Sequence, residues 1–322
     1  MDSNALVQLA ADTLACSQKE LAVRLGVSPA QISKWKKGDY MSAEMEDKLR
    51  AISSIGERVP EFVVWAGSLD NATKWERLLS YLVESAVSNS ETGYHTPPLE
   101  EQEQRNLLYW DTFRVLREMG VDIPKQFPSE LDIDYDVSHD SPDSDEPWEL
   151  LMDNDYSSLI YLIYKSLTDV YGFYAAYVSD FMYDDDLELD QTAACNIEPC
   201  LLSLAASKLE DAPTLAPRFV EFKRLVKKEY EEWLSIVKDK VFRAGMPLRA
   251  ELLGMVYNSH DELGHEAEAE SLGFNASRVH PDIYMNELLC GMRTMHQVLP
   301  AIMKKLGIYD DFTLDESEFR IG

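Results

Sequence analysis

The residue types with the most obvious capacity for chemistry lie in the acidic middle and the C-terminal half of the chain. Asp132, Asp134, Asp136, Ser138, Asp140 and Asp143 follow the ligand spacing of a calcium loop. The sixth position, where glycine allows the sharp turn, is Val137, and the last ligand is the short Asp143 instead of a glutamate. The run reads as an acidic loop. His260 and His265, with Glu262 and Glu266 beside them, raise the question of zinc. A zincin sets its histidines four apart on one helical face, whereas a spacing of five turns them about 140° from each other. Polar helix surface is the better reading. Aromatics crowd residues 156–183: Tyr156, Tyr161, Tyr164, Tyr171, Phe173, Tyr174, Tyr177, Phe181 and Tyr183. Stacking on single-stranded nucleic acid needs cations beside the rings. The accompanying charge here is acidic, so packing between helices or a tyrosine-rich subunit interface is expected. Cys16, Cys195, Cys200 and Cys290 form no CxxC pair and are too scattered for a disulfide framework. They read as buried, reduced thiols. No phosphate-binding glycine loop, GxSxG or nucleophile–base arrangement is present, and the chain is read as a non-enzyme without cofactor or metal.

A different segment is built for binding. Ser17 can cap a helix, with Glu20 three residues later completing a capping box. Leu21, Ala22 and Leu25 fall on one face of that helix, and Gly26 stops it. Ser28 caps the next helix and Pro29 occupies its first turn, where a missing N–H is harmless. Ile32 and Trp35 form its inner face, and Gly38 ends it. The spacing of Gln18, Glu20, Leu21, Ala22, Leu25, Gly26, Val27, Ser28, Ile32, Ser33, Trp35 and Gly38 resembles the Cro/C1-type (XRE-family) helix-turn-helix, the fold of phage repressors and many bacterial regulators. The resemblance covers about the first 55 residues. Ala22 is small where two helices cross, Gly26 makes the turn and Ile32 fills the joint core.

The resemblance implies that the second helix of the pair enters the major groove, N-terminal half toward the base edges. Pro29, Ala30, Gln31, Ser33, Lys34 and Lys37 then face outward. Gln31 suits a bidentate pair with adenine, Lys34 suits guanine O6/N7, and Pro29 or Ala30 suits a thymine methyl. Gln18 matches the family position that grips a phosphate at a helix N-terminus. Ser28 completes the set, and Lys36 and Lys37 add charge without specificity. One pair departs from the family pattern. Many members join an acidic residue directly after the aromatic position to an arginine of the first helix; Lys36 and Ala11 stand there instead. Loss of both partners leaves no unpaired charge. The first helix must dock by other means.

The elements that would position this segment are mostly helical. Residues 3–55 hold the head: a first helix through Leu6, Leu9 and Leu14, the capped pair, and a fourth helix from about Ser42 with Met45, Leu49 and Ile52. Residues 59–66 fit a strand or a helix equally. Residues 72–88 place Trp75, Leu78, Leu79, Leu82 and Val83 at helical spacing, and one further helix is expected at 99–119. Residues 129–155 carry eleven acidic residues, no Lys or Arg, and Pro142 and Pro147, which favours an exposed loop or linker. Helices are expected at 156–182, 190–209, 214–244, 247–271 and 282–306. The apolar stretch 159–182 is interrupted by Lys165, Asp169 and Asp180, as in a buried helix and not a membrane span. The first fifteen residues lack the basic start of a signal peptide, and a cytoplasmic protein is expected.

The expected fold is therefore mostly α: a lambda-repressor-like helix-turn-helix domain at 1–58, a helical connecting region at 59–128, the acidic loop or linker at 129–155, and a larger acidic all-α domain at 156–322 for dimerisation or partner binding. Charge divides the chain the same way. Of 30 Lys plus Arg and 58 Asp plus Glu, residues 1–58 hold 8 and 8, leaving 22 and 50, so the whole net charge of −28 lies beyond the head. An acidic body repels DNA phosphates over a Debye length of about 10 Å, so DNA must meet the neutral head. The leading expectation is a dimeric repressor that binds double-stranded DNA through residues 17–38. An alternative is an acidic interaction protein, antitoxin-like or an adaptor, whose helical domain docks on a basic protein partner. In a third reading the acidic domain mimics DNA phosphate and occupies the head.

Overall fold

The computed structural model describes residues 3–90, 93–135, 145–209, 213–244 and 281–309. Every regular element among them is helical. The helix expected at 247–271, His260 and His265, the acidic positions 136–143 and the tail from 310 lie outside the described residues.

Five helices form the N-terminal part: α1 (Ser3–Thr13), α2 (Gln18–Leu25), α3 (Pro29–Trp35), α4 (Ala43–Ser53) and α5 (Pro60–Ala66). α1 buries Ala5, Leu6, Val7 and Ala10, packing on α3, α4 and α5. Residues 59–66, ambiguous by periodicity, are helical. Pro60 sits at the first turn, and Phe62, Val63 and Ala66 all turn inward.

The remaining helices are α6 (Leu69–Ser88), α7 (Pro97–Glu100), α8 (Arg105–Glu118), α9 (Asp145–Asp153), α10 (Asp155–Tyr177), α11 (Ser179–Met182), α12 (Leu201–Ser207), α13 (Phe219–Ala244) and α14 (Pro281–Leu306). α10 packs against both α6 and α12, and α13 packs on α12. The five apolar residues expected on the inner face of α6 are all buried. The aromatics of α10 serve packing. Tyr164, Phe173 and Tyr174 are almost fully enclosed, and the Tyr164 hydroxyl meets that of Thr112 on α8 at 2.8 Å. Tyr171 and Tyr174 donate to the two carboxylate oxygens of Glu198 at 2.7 and 3.3 Å, and the exposed Tyr183 reaches the same group at 3.4 Å. Burial, together with the Glu198 carboxylate, pushes the phenols of Tyr171 and Tyr174 well up.

Three expectations need correction. The single helix at 99–119 is broken: the Glu100 carboxylate accepts from the Thr96 N–H and caps the start of α7, but Glu101 turns extended, at φ −85° and ψ 118°, and ends it after one turn around the buried Leu99. A 3-10 turn at Gln102–Gln104 then leads into α8. The helix at 190–209 begins only at Leu201. Before it the chain runs through 3-10 turns, one opened by the Thr192 hydroxyl accepting from Ala194 N–H and one containing Pro199, which has no N–H to give. The acidic stretch 129–155 is not all loop. Its end is α9, and Asp132 is held at 2.7 Å by Lys74 of α6, so the first would-be calcium ligand is already paired. Among the cysteines, Cys16 and Cys200 are partly buried but Cys195 is exposed; all three are free. Burial pushes the Cys200 thiol up to about 12, which makes it unreactive at neutral pH. No described helix is long and apolar enough to cross a membrane.

The joint between α1–α5 and the rest is tight. Arg58 grips Glu76 of α6 through two bonds of 2.6 and 2.8 Å. The Phe62 ring of α5 lies 4.7 Å from that of Phe113 on α8. One buried apolar cluster runs without interruption from Leu6 to Val241. At the turn between α5 and α6, Gly67 has φ +90° and ψ −25°, and a Cβ there would meet the Lys125 carbonyl oxygen at 2.6 Å. The same carbonyl accepts from Asn71 at 2.7 Å. Gly67→Ala combines a left-handed backbone with a collision against main chain, and is expected to destabilise by about 2 kcal/mol. Its urea midpoint should fall. An unchanged midpoint would mean that the 125 segment simply moves aside.

Candidate nucleic-acid interface

The segment 17–38 is set by its caps. The Ser17 hydroxyl accepts from the Glu20 N–H, and the Glu20 carboxylate accepts from the Ser17 N–H and hydroxyl, each at 2.8 Å. Those hydrogen bonds hold the Glu20 carboxyl below the usual carboxylate range. Gly26 ends α2 at φ +70°, and Val27 N–H reaches back to the Ala22 carbonyl. The Ser28 hydroxyl then accepts from Gln31 N–H at 3.2 Å and opens α3. Leu21, Ala22, Ile32 and Trp35 are buried between the two helices.

α1 docks without the missing ion pair. The buried Ser3 hydroxyl donates to the Trp35 carbonyl at 2.7 Å, and the Asp39 carbonyl lies 3.2 Å away. The Trp35 indole N–H donates to the Tyr40 carbonyl at 3.2 Å. The Ser3 bonds fasten the end of α3 and the following loop to α1, and the Trp35 bond holds that loop against α3.

With Ile32 and Trp35 inward and about 100° of turn per residue, the outward face of α3 centres on Ala30, Ser33, Lys34 and Lys37. All four are exposed, as are Gln18, Ser28, Pro29 and Lys36. Gln31 lies at the edge of that face and is half-buried, and Lys36 lies at the other edge. Two serines have local duties. Ser33 donates its proton to the Pro29 carbonyl at 3.1 Å and keeps only acceptor capacity. Ser28 uses one lone pair as a cap, so its proton remains available to an outside oxygen.

The pairing of charges separates two sides of the N-terminal part. Lys48 is bound to Glu44 at 2.7 Å, Arg50 to Glu46 at 3.1 Å and Arg58 to Glu76. Lys19, Arg24, Lys34, Lys36 and Lys37 make no ion pair among the described residues. These five are all the basic residues of segment 17–38, whose one acid, Glu20, is tied to Ser17. Lys19, Arg24 and the 88% exposed Tyr40 were not among the residues singled out by sequence. The local charge, five basic against one acidic, was the signal that could have added the first two.

No protein-family model, curated protein or solved structure matches this chain.

Proposed function

We propose that the chain is a sequence-specific, double-stranded DNA-binding transcriptional regulator acting as a dimeric repressor, with α1–α5 as a Cro/C1-type head. The observation that carries this reading is the set of five cations on 17–38 that form no ion pair among the described residues, in a chain with 58 acidic residues. Cations left unpaired in so acidic a protein suit an external polyanion. The short, capped α3 presents Ala30, Ser33, Lys34 and Lys37 outward, in an arrangement suited to a major groove about 12 Å wide. Ser28, Gln18, Lys19 and Lys36 are exposed and would hold phosphates around it.

The test is selection from random double-stranded DNA by the full-length protein, with the Gln31→Ala, Lys34→Ala double variant alongside. Enrichment of an inverted repeat by the wild type only is the expected outcome. No enrichment by the intact chain would overturn the reading. It would favour the acidic interaction protein, whose 50 acidic residues beyond residue 58 would seek a basic partner.

A further inference from the structure

We propose that α14 is a self-association surface on which a second copy of this chain lays the same helix. No described side chain of α14 joins the core cluster that runs from Leu6 to Val241. Met292, Met295, Leu299, Ile302 and Leu306 are 59, 62, 53, 48 and 66% exposed. Their spacing alternates three and four, the a/d repeat of a helix that pairs with another helix. In the sequence the same spacing runs back through Leu288 to Met285. A helix laid on a globular core shows a broader apolar face, whereas this narrow seam suits a single partner helix. Met303, beside the seam, is only 8% exposed, so one edge of α14 is covered within the chain while the seam itself stays open. Pro300, next to Leu299 in sequence, falls at an outer position of the repeat.

Charge selects the occupant. Residues 285–306, which carry the seam, contain Arg293, Lys304 and Lys305 against one acid, Glu287, a net +2; against −28 for the chain, the remainder carries −30. A second copy brings an identical apolar seam together with an acidic body that attracts those flanking cations. Contact between the acidic bodies would set like charge against like charge. Association of this kind stands apart from DNA binding and is measured without DNA. Its bearing on a two-fold operator rests on the reading proposed above.

The test is sedimentation equilibrium of the full chain at micromolar concentration in the absence of DNA. The wild type should show twice the chain mass of 36.7 kDa. Leu299→Glu with Ile302→Glu should show one chain mass, with association at least about 100-fold weaker and an unchanged thermal melt. Gln297→Glu with Ala301→Glu adds the same charge outside the seam and should keep the double mass. A single chain mass for the wild type would overturn the proposal, as would a double mass for the seam variant. So would a lowered melt of the seam variant with no change in mass, which would mean that the seam packs within its own chain.

Discussion

The Gln31→Ala, Lys34→Ala variant is expected to lose sequence-specific DNA binding while remaining folded. A bidentate side-chain pair with a base edge is worth about 1–3 kcal/mol of discrimination, so the two together remove about 2–6 kcal/mol. Specific and non-specific binding are separated by about 4–10 kcal/mol, so a loss of that size brings the variant close to non-specific affinity. Lys34 lies at the centre of the outward face of α3 and Gln31 at its edge, so Lys34→Ala alone should have the larger effect. Among the described residues neither side chain makes a hydrogen bond or ion pair, and the melting temperature should hold. Lys36→Ala is the contrasting case. A phosphate contact weakens all sequences alike and lowers the slope of log affinity against log salt by about 1. Fluorescence anisotropy on the selected site and a scrambled one, at three salt concentrations, separates the two behaviours. Wild-type discrimination by the double variant would remove α3 from base recognition.

Asp169→Ala is expected to be the most damaging single substitution in the body. The Asp169 carboxylate meets the Lys208 ammonium at 2.7 Å, with side chains only 10 and 12% exposed. The pair joins α10 to the end of α12, the two helices that pack most closely in the body. Removing the carboxylate leaves a nearly buried ammonium uncompensated, at a cost of about 3–5 kcal/mol. Replacing both members by apolar residues avoids that penalty, so Asp169→Leu with Lys208→Met should recover much of the loss. Urea unfolding midpoints of the single and double variants decide the matter. Equal midpoints for wild type and Asp169→Ala would show that Lys208 reaches water freely.

The legible parts of this sequence were those governed by local physics. The Ser17 and Ser28 caps, the Gly26 turn and the inward positions of Ile32 and Trp35 follow from neighbours a few residues apart, and each stands where the sequence put it. The inner face of α6 was equally clear, because its apolar residues keep one period for twenty residues. Long-range choices were hidden. Nothing near Ser3 announces that its hydroxyl anchors the end of α3, thirty-two residues away. The break after α7 comes where Glu101 turns extended, and nothing in the residues around it marks that position. Asp132 read as part of a free acidic run because its partner Lys74 lies fifty-eight residues earlier. Residues 59–66 were undecided for a simpler reason. A short apolar run has too few residues to distinguish periods of 2 and 3.6.

The clamp of Arg58 on Glu76, with Phe62 set against Phe113, joins α1–α5 to α6 and α8, and α6 packs on α10, so head and body would move as a single lever. A head on a flexible tether lets the DNA choose the distance between two bound half-sites. A head on a lever does not: the body dictates where each α3 points. In a two-fold pair the protein would then act as a gauge, accepting one centre-to-centre distance and one rotational phase. Each extra base pair between half-sites rotates one of them by about 34–36° around the duplex. A jointed protein absorbs that rotation in its linker. A rigid one meets it as strain in its own core, so spacing would be read as strictly as sequence.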